Sequence, residues 1–337
     1  MTRSAVASQP WARQHGTSHA HAAGLDAMPA LRELSSPASY MARHSRSFRF
    51  ASSLLRGPQR EGLTRVYAWC RFTDDIVDGS SDRAGAELRL DEWLERSRSA
   101  YEGHGSGIPL VDRVMREMAD GNVPFVYAAE LVDGVRSDLC FTPFRDYGAL
   151  RVYTYRVAGV VGRWLTELHG VNDPWMLERA AALGHAMQLT NILRDVGEDW
   201  SRSRVYIPLS ALAAHGLSSQ DIGSMRRGER AVDVAYRELV EELMAVATRD
   251  YTMARAAIPH LPGGFRRSVA VAAAVYQGIH DAIRRNGYDN LRLRAVTSTS
   301  RKFALAMDAL ATPAHSVPTG FERATVSPPN PAGATAD

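Results

Sequence analysis

The chain has little cysteine and almost no lysine. Two cysteines in 337 residues, Cys70 and Cys140, cannot build a disulfide framework or a zinc site. Cys70 lies within an apolar helical pattern, which points to a reduced, cytoplasmic setting. Lys302 is the only lysine among 40 Lys and Arg residues, a bias that GC-rich coding produces. No run approaches the 18 consecutive apolar residues of a membrane-spanning helix; the longest, 269 to 276, is short and alanine-rich. No strand-like alternation of useful length occurs, and no Gly-rich dinucleotide fingerprint follows a strand. A net charge of +3 is too small to argue for a nucleic-acid partner.

What is present is an ordinary globular composition, 45% hydrophobic and 23% charged. Helical periodicity fits roughly 38–55, 60–78, 86–103, 108–119, 124–139, 146–169, 174–199, 229–257 and 265–286. Turn chemistry breaks these segments at Arg56-Gly57-Pro58, at 103–107 and at 259–264, and Asp173-Pro174 reads as an N-cap followed by proline at the first helical position. The fold class is therefore all-α. No linker splits the core, so residues 36–311 read as one helical domain. An extension over 1–35 and a tail over 312–337 with five prolines both read as disordered. The acid-poor start also resembles an organelle transit segment, and His15, His19 and His21 within it read as incidental.

Two acidic motifs carry the chemistry. In Asp74-Asp75-Ile76-Val77-Asp78 and Asp195-Val196-Gly197-Glu198-Asp199, two aspartates stand four residues apart and share a helix face. Like charges at that spacing repel, and burying them uncompensated is costly. Two such pairs facing one cavity make sense if hard divalent cations fill it and complete their shells with substrate phosphates. Tyr67, Arg71, Asp74 and Asp78 fall at offsets 0, 4, 7 and 11; Gln188, Asn191, Asp195 and Asp199 fall at 0, 3, 7 and 11, with Arg194 alongside. Each helix thus carries a polar stripe through apolar neighbours, and the expected enzyme binds a diphosphate through metal.

These residues resemble the squalene and phytoene synthase family, the head-to-head isoprenyl diphosphate synthases. The resemblance rests on the runs 67–78 and 188–199, and on His44-Ser45-Arg46-Ser47-Phe48, Val157-Ala158-Gly159-Val160-Val161-Gly162 and Arg204-Val205-Tyr206-Ile207-Pro208. Asn286-Gly287-Tyr288-Asp289 and Arg294-Ala295 extend it. It implies an isoprenoid synthase helical bundle with a central cavity. Asp74, Asp78, Asn191, Asp195 and Asp199 would hold Mg²⁺, with Mn²⁺ as an alternative. His44, Ser45, Arg46, Ser47, Tyr67, Arg71, Gln188, Asn191, Arg194, Tyr276 and Arg294 would bind diphosphate. Phe48, Ser52, Tyr153, Val157, Gly159, Val161 and Gly162 would line the prenyl pocket.

Ionisation of an allylic diphosphate requires stabilised leaving charge, which metal and arginine provide. The carbocation must then be kept from water by apolar walls, with Phe48, Phe72 or Trp164 as cation–π candidates. Gly159 and Gly162 admit two readings, close approach of the prenyl chain or tight helix packing. The resemblance implies two prenyl diphosphates joining through a cyclopropylcarbinyl diphosphate, and it favours a 15-cis-phytoene synthase of carotenoid biosynthesis using geranylgeranyl diphosphate without NADPH. A small Ser52 one turn after Phe48 hints at the longer substrate, although an exposed serine reads equally well. The alternatives are a C30 squalene or dehydrosqualene synthase using farnesyl diphosphate, and a non-catalytic assembly protein. The last should have lost its aspartates. Thr154, Arg156, Arg163 and Ser203 depart from common family residues without removing a metal ligand. A basic run, Arg284, Arg285, Arg292, Arg294, Arg301 and Lys302, offers a possible peripheral contact with anionic headgroups or simply a solvated face.

Overall fold

Side-chain caps present in the sequence set many of the helix starts. Asp173, Asp146 and Asp233 accept the backbone N–H of the residue three positions on, at 3.0–3.1 Å, and Ser218 with Asp221 closes a capping box; each satisfies N–H groups that the first turn leaves open. The computed structural model describes residues 24–78, 80 and 82–311, all-helical among those residues. The first half contains α1 (Pro29–Glu33), α2 (Pro37–His44), α3 (Arg46–Ser52), α4 (Gly57–Asp78), α5 (Arg83–Tyr101), α6 (Pro109–Asp120) and α7 (Val126–Arg136). Next, α8 (Tyr147–Thr154) runs through a π-helical turn, Tyr155–Gly159, into α9 (Val160–Leu168). The second half contains α10 (Pro174–Ser201), α11 (Leu209–Ala214), α12 (Ser219–Arg227), α13 (Val234–Ala257), α14 (Gly263–Arg285) and α15 (Thr299–Ala311).

Two apolar clusters dominate the core. One gathers Trp69, Phe72, Trp93, Val111, Val132 and Trp164 from α4 to α9. The other gathers Leu193, Tyr236, Leu243, Tyr251, Tyr276 and Ile283 around α10, α13 and α14. Both motif helices are thereby anchored on their apolar sides, so their polar stripes turn toward the space between.

Several expected boundaries move. The segment 38–55 is two helices, because Ser45 is extended (φ −145°, ψ 102°) and its hydroxyl caps α3 by accepting Phe48 N–H. The segment 146–169 contains the π turn. α11, α12 and α15 have no counterpart in the sequence reading; α11 and α12, with 6 and 9 residues, leave little periodicity to count. The ordered chain also begins before residue 36: Leu25 and Leu34 are buried, and Leu25 N–H donates to Glu92 at 3.1 Å. Two apolar anchors 9 residues apart gave no countable pattern. The tail over 312–337, the start over 1–23 and its three histidines lie outside the described residues.

The straight-helix assumption fails at one informative place. Asp195 has non-helical dihedrals (φ −108°, ψ 15°) and kinks α10. Asn290 enters there, its side-chain Nδ2 donating to the Leu193 carbonyl at 2.5 Å while its backbone carbonyl accepts Gly197 N–H at 3.3 Å. A Cβ at Gly197 would stand 1.8 Å from the Leu291 carbonyl oxygen, so only glycine admits this approach.

Candidate active site

The C-terminal end of α4 and the kinked end of α10 face each other across a cavity of about 850 Å³. Its wall includes every diphosphate and metal candidate of the sequence reading: His44, Ser45, Arg46, Ser47, Tyr67, Arg71, Asp74, Asp78, Gln188, Asn191, Arg194, Asp195, Asp199, Tyr276 and Arg294. Phe48, Ser52, Tyr153, Val157, Val161 and Gly162 also line it. Ser52 is buried, 1% exposed, which removes the exposed-serine alternative.

Arginines hold the carboxylates. Arg71 bonds Asp75 and lies 3.9 Å from Asp78, while Asp75 also accepts the Tyr40 hydroxyl. Asp78 further receives Arg204 at 3.2 Å and Arg202 at 3.4 Å. Across the cavity, Arg194 Nε donates to Asp195 at 2.9 Å, and Arg294 Nε reaches the same carboxylate at 2.9 Å. Among the described residues no three His, Cys, Asp or Glu side chains already form a metal cage.

The donor chemistry nevertheless fits a hard cation. Asp74, enclosed beside Asp78 and Asp75, is pushed up to about 7, chiefly by burial against the opposing pull of Arg71. Asp199 is pushed up to about 8 by burial and then by Asp195. Asn191 Oδ1 is buried without a hydrogen-bond partner, although its Nδ2 donates to Gln188 at 3.3 Å. Carboxylates that need positive charge and an orphaned amide oxygen at one wall form an oxygen-rich set suited to Mg²⁺.

Some expected roles do not survive. Gly159 is absent from the cavity wall, and a Cβ there would meet the Tyr155 ring at 2.9 Å. At Gly162 a Cβ would stand 2.3 Å from the Ala180 carbonyl oxygen. Gly159 therefore serves packing within the π turn, whereas Gly162 both lines the cavity and lets α9 lie against α10. Phe72 and Trp164 are buried in the tryptophan cluster and do not line the cavity; of the three cation–π candidates Phe48 lies at the wall, packed on Tyr67 and edge-on to Tyr276. Most of the basic run is ion-paired or buried, although Arg285 is exposed. Arg284 pairs with Glu241, Arg292 with Asp289, Arg294 with Asp195 and Arg301 with Asp281, and Lys302 is buried.

Other residues escaped the sequence reading. Asp138 at the cavity wall accepts the hydroxyls of Tyr153 at 3.0 Å and Tyr206 at 2.9 Å. Lys302, read in the sequence only as part of the basic run, is 7% exposed and lines the cavity with no ion-pair partner among the described residues, and burial followed by the charge of Arg46 holds its amine below the ordinary lysine range. Thr297 Oγ1, also at the wall, is buried and unpartnered. Asp138 sits in a 3₁₀ turn that no periodicity marks. The rarity of lysine marked Lys302 in the sequence, but nothing in its spacing placed it at the cavity.

The departures from family residues have local explanations. Thr154 bonds His185 at 2.6 Å, Arg156 pairs with Glu130, and Arg163 Nε donates to the Tyr127 hydroxyl at 3.1 Å. Ser203 (φ +60°) occupies the left-handed position after α10, where glycine costs nothing.

The profile described as squalene/phytoene synthase matches residues 41–301. A phytoene synthase of Thermus thermophilus is 38% identical over 255 residues, covering 75% of this chain and 83% of that protein. A phytoene synthase of Arthrospira platensis is 34% identical over 277 residues, covering 77% and 87%. Among solved structures, a dehydrosqualene synthase in complex with ligand superposes with a TM-score of 0.73 at 27% identity, covering 83% of this chain and 96% of that one. With the profile spanning most of the helical core and two relatives above 30% identity over most of their own length, this chain belongs to the squalene/phytoene synthase family.

Proposed function

We propose that this chain is a prenyltransferase that joins two geranylgeranyl diphosphates head to head, giving 15-cis-phytoene by way of prephytoene diphosphate. The observation that carries the reading is the placement of both aspartate pairs at one end of a cavity whose remaining wall is largely apolar. The similarity to proteins named phytoene synthase supports the C40 product. A buried Ser52 at the wall, where a larger side chain would shorten the space, supports the longer substrate.

Asp74, Asp78, Asn191, Asp195 and Asp199 would hold the family's divalent metal, taken here as Mg²⁺. When bound, it neutralises the charge that develops on a departing diphosphate. Arg46, Arg194, Arg294 and Lys302 would add direct contacts from the rim, with Ser45, Ser47 and Tyr276 orienting the phosphate oxygens. Phe48, Val157, Val161 and Leu165 would then exclude water from the carbocation. A final proton loss, without hydride, completes the reaction, so NADPH is not required.

The likeness to a solved dehydrosqualene synthase favours a second reading, the C30 condensation of farnesyl diphosphate. Purified protein with Mg²⁺ should be offered each diphosphate separately, with and without NADPH. Phytoene from the C20 substrate without NADPH is expected. A C30 product alone would replace the substrate, and absence of any hydrocarbon would reject the enzymatic reading.

A further inference from the structure

Both motif helices run along the cavity and carry it away from their aspartates. On α10 the wall residues extend back from Asp199 to Met176, and on α4 from Asp78 to Leu63. Arg179 thus precedes Asp195 by about 24 Å of helical rise, and Leu63 precedes Asp78 by about 22 Å. The two far ends meet. Leu63 and Met176 join Leu261 and Phe265 in one apolar cluster with Leu165 packed against it, and all five line the cavity. Arg179 brings a charged side chain to this apolar end. That side chain is 19% exposed. Its Nη1 donates to the Trp175 carbonyl at 3.1 Å and to Glu178 at 3.3 Å, and the guanidinium stands 3.9 Å from the centre of the Trp175 ring. Both of these partners are exposed, so the charged head is moored from the solvent side. Its Nε is buried and has no hydrogen-bond partner.

Closing an apolar cavity does not call for a guanidinium. An aliphatic side chain would seal the wall, whereas a buried N–H without a partner costs free energy. The charge has a use where the chain of a bound substrate must stop. Building on the condensation proposed above, in which the diphosphate is held at the aspartate end, we propose that Arg179 is a specificity residue that sets the longest prenyl chain the cavity admits. A geranylgeranyl chain anchored at the aspartates runs toward Leu63, Met176 and Phe265, and its terminal methyl groups end at Arg179. One more isoprene unit would press methyl groups against the guanidinium. It would either strip the remaining water from the charge and offer no acceptor in exchange, or lift the head from Trp175 and Glu178. Both oppose entry. Ser52, small and buried at the wall, leaves the passage wide, and Arg179 ends it.

The test offers geranylgeranyl diphosphate and its C25 homologue, geranylfarnesyl diphosphate, separately with Mg²⁺. The readout is the ratio of kcat/KM for C25 to that for C20, measured as hydrocarbon formed. It is taken for wild type, Arg179→Ala and Arg179→Met, each checked for folding by circular dichroism. Wild type should favour C20 by at least ~10-fold, the scale on which a pocket discriminates by size. Both variants should raise the C25-to-C20 ratio at least ~10-fold, Arg179→Met included, because methionine keeps an unbranched side chain without its charge. A purely structural role for Arg179 would lower both rates together, so an unmoved ratio in a folded variant overturns the length stop. Wild type that condenses both substrates equally well also overturns it. If Arg179→Ala does not fold, Arg179→Met decides by the same criterion. Failure of wild type to convert the C20 substrate would reject the head-to-head reading itself, and the length stop with it, whereas C40 hydrocarbon with an unmoved ratio rejects the length stop alone.

Discussion

Asn290 occupies the place of a helical hydrogen bond in α10: it donates to the Leu193 carbonyl and accepts the Gly197 N–H, two groups that would pair with each other in a straight helix. The Tyr236 hydroxyl fixes the inserted side chain from behind at 2.7 Å. Insertion of a side chain into the ladder is a recognised cause of helix kinks, and the kink here falls at Asp195. Replacing Asn290 with alanine should strand the Tyr236 hydroxyl and the Leu193 carbonyl, costing about 1–3 kcal/mol. Calorimetry should show the lower Tm, and kcat should fall by at least ~10-fold as Asp195 loses its setting. Wild-type turnover in a folded Asn290→Ala would show that the kink is immaterial to the site.

Asp74→Asn and Asp195→Asn should each abolish turnover, by roughly 10³-fold or more, while the fold persists. EDTA should stop the wild-type reaction, added Mg²⁺ should restore it, and Mn²⁺ should substitute. Substantial hydrocarbon synthesis by either variant would contradict the metal assignment.

Two buried histidines predict an acid limb to stability. His185, bonded to Thr154, and His280, bonded to Thr190, are each lowered to about 4, chiefly by burial. The unfolded chain takes up these protons near 6.5, whereas the folded chain resists until about pH 4. Their contribution to stability is thus present above pH 6.5 and lost progressively as pH falls toward 4, by a few kcal/mol at most. Denaturant midpoints measured across this window should show the decline. In His280→Gln the slope should flatten; an identical slope would assign the acid limb elsewhere.

The strained turn after α10 offers a stabilising change. Ser203→Gly relieves the left-handed backbone at φ +60° and should stabilise the fold by up to about 1 kcal/mol, the gain reduced by glycine's greater freedom when unfolded. Thermal melts should register a rise of a few degrees at most, and a fall would mean that the serine hydroxyl matters more than the strain.

The polar stripes on α4 and α10 were legible because helical spacing is a local property, and a four-residue spacing suffices to place Asp74 with Asp78 and Asn191 with Asp195. The long helices were legible for the same reason. Asp138, Arg204 and Tyr206 were not, because their meeting depends on a 3₁₀ turn and on a reversal after Ser203, where Arg204 N–H bonds back to the Asp199 carbonyl at 2.9 Å. The glycines at 159 and 162 were legible as small residues but not as to which neighbour required it. The Tyr155 ring decided it at Gly159, and the Ala180 backbone, on another helix, decided it at Gly162.

Lys302 gives this enzyme a built-in chemical reporter. The chain carries a single ε-amine, and that amine sits at the cavity wall with its proton held less firmly than usual. An amine-directed reagent therefore has one internal target besides the N-terminus. Its acylation rate, followed by intact-mass spectrometry, becomes a footprint of the rim: a bound diphosphate should shield the amine, and washing it out should expose the amine again.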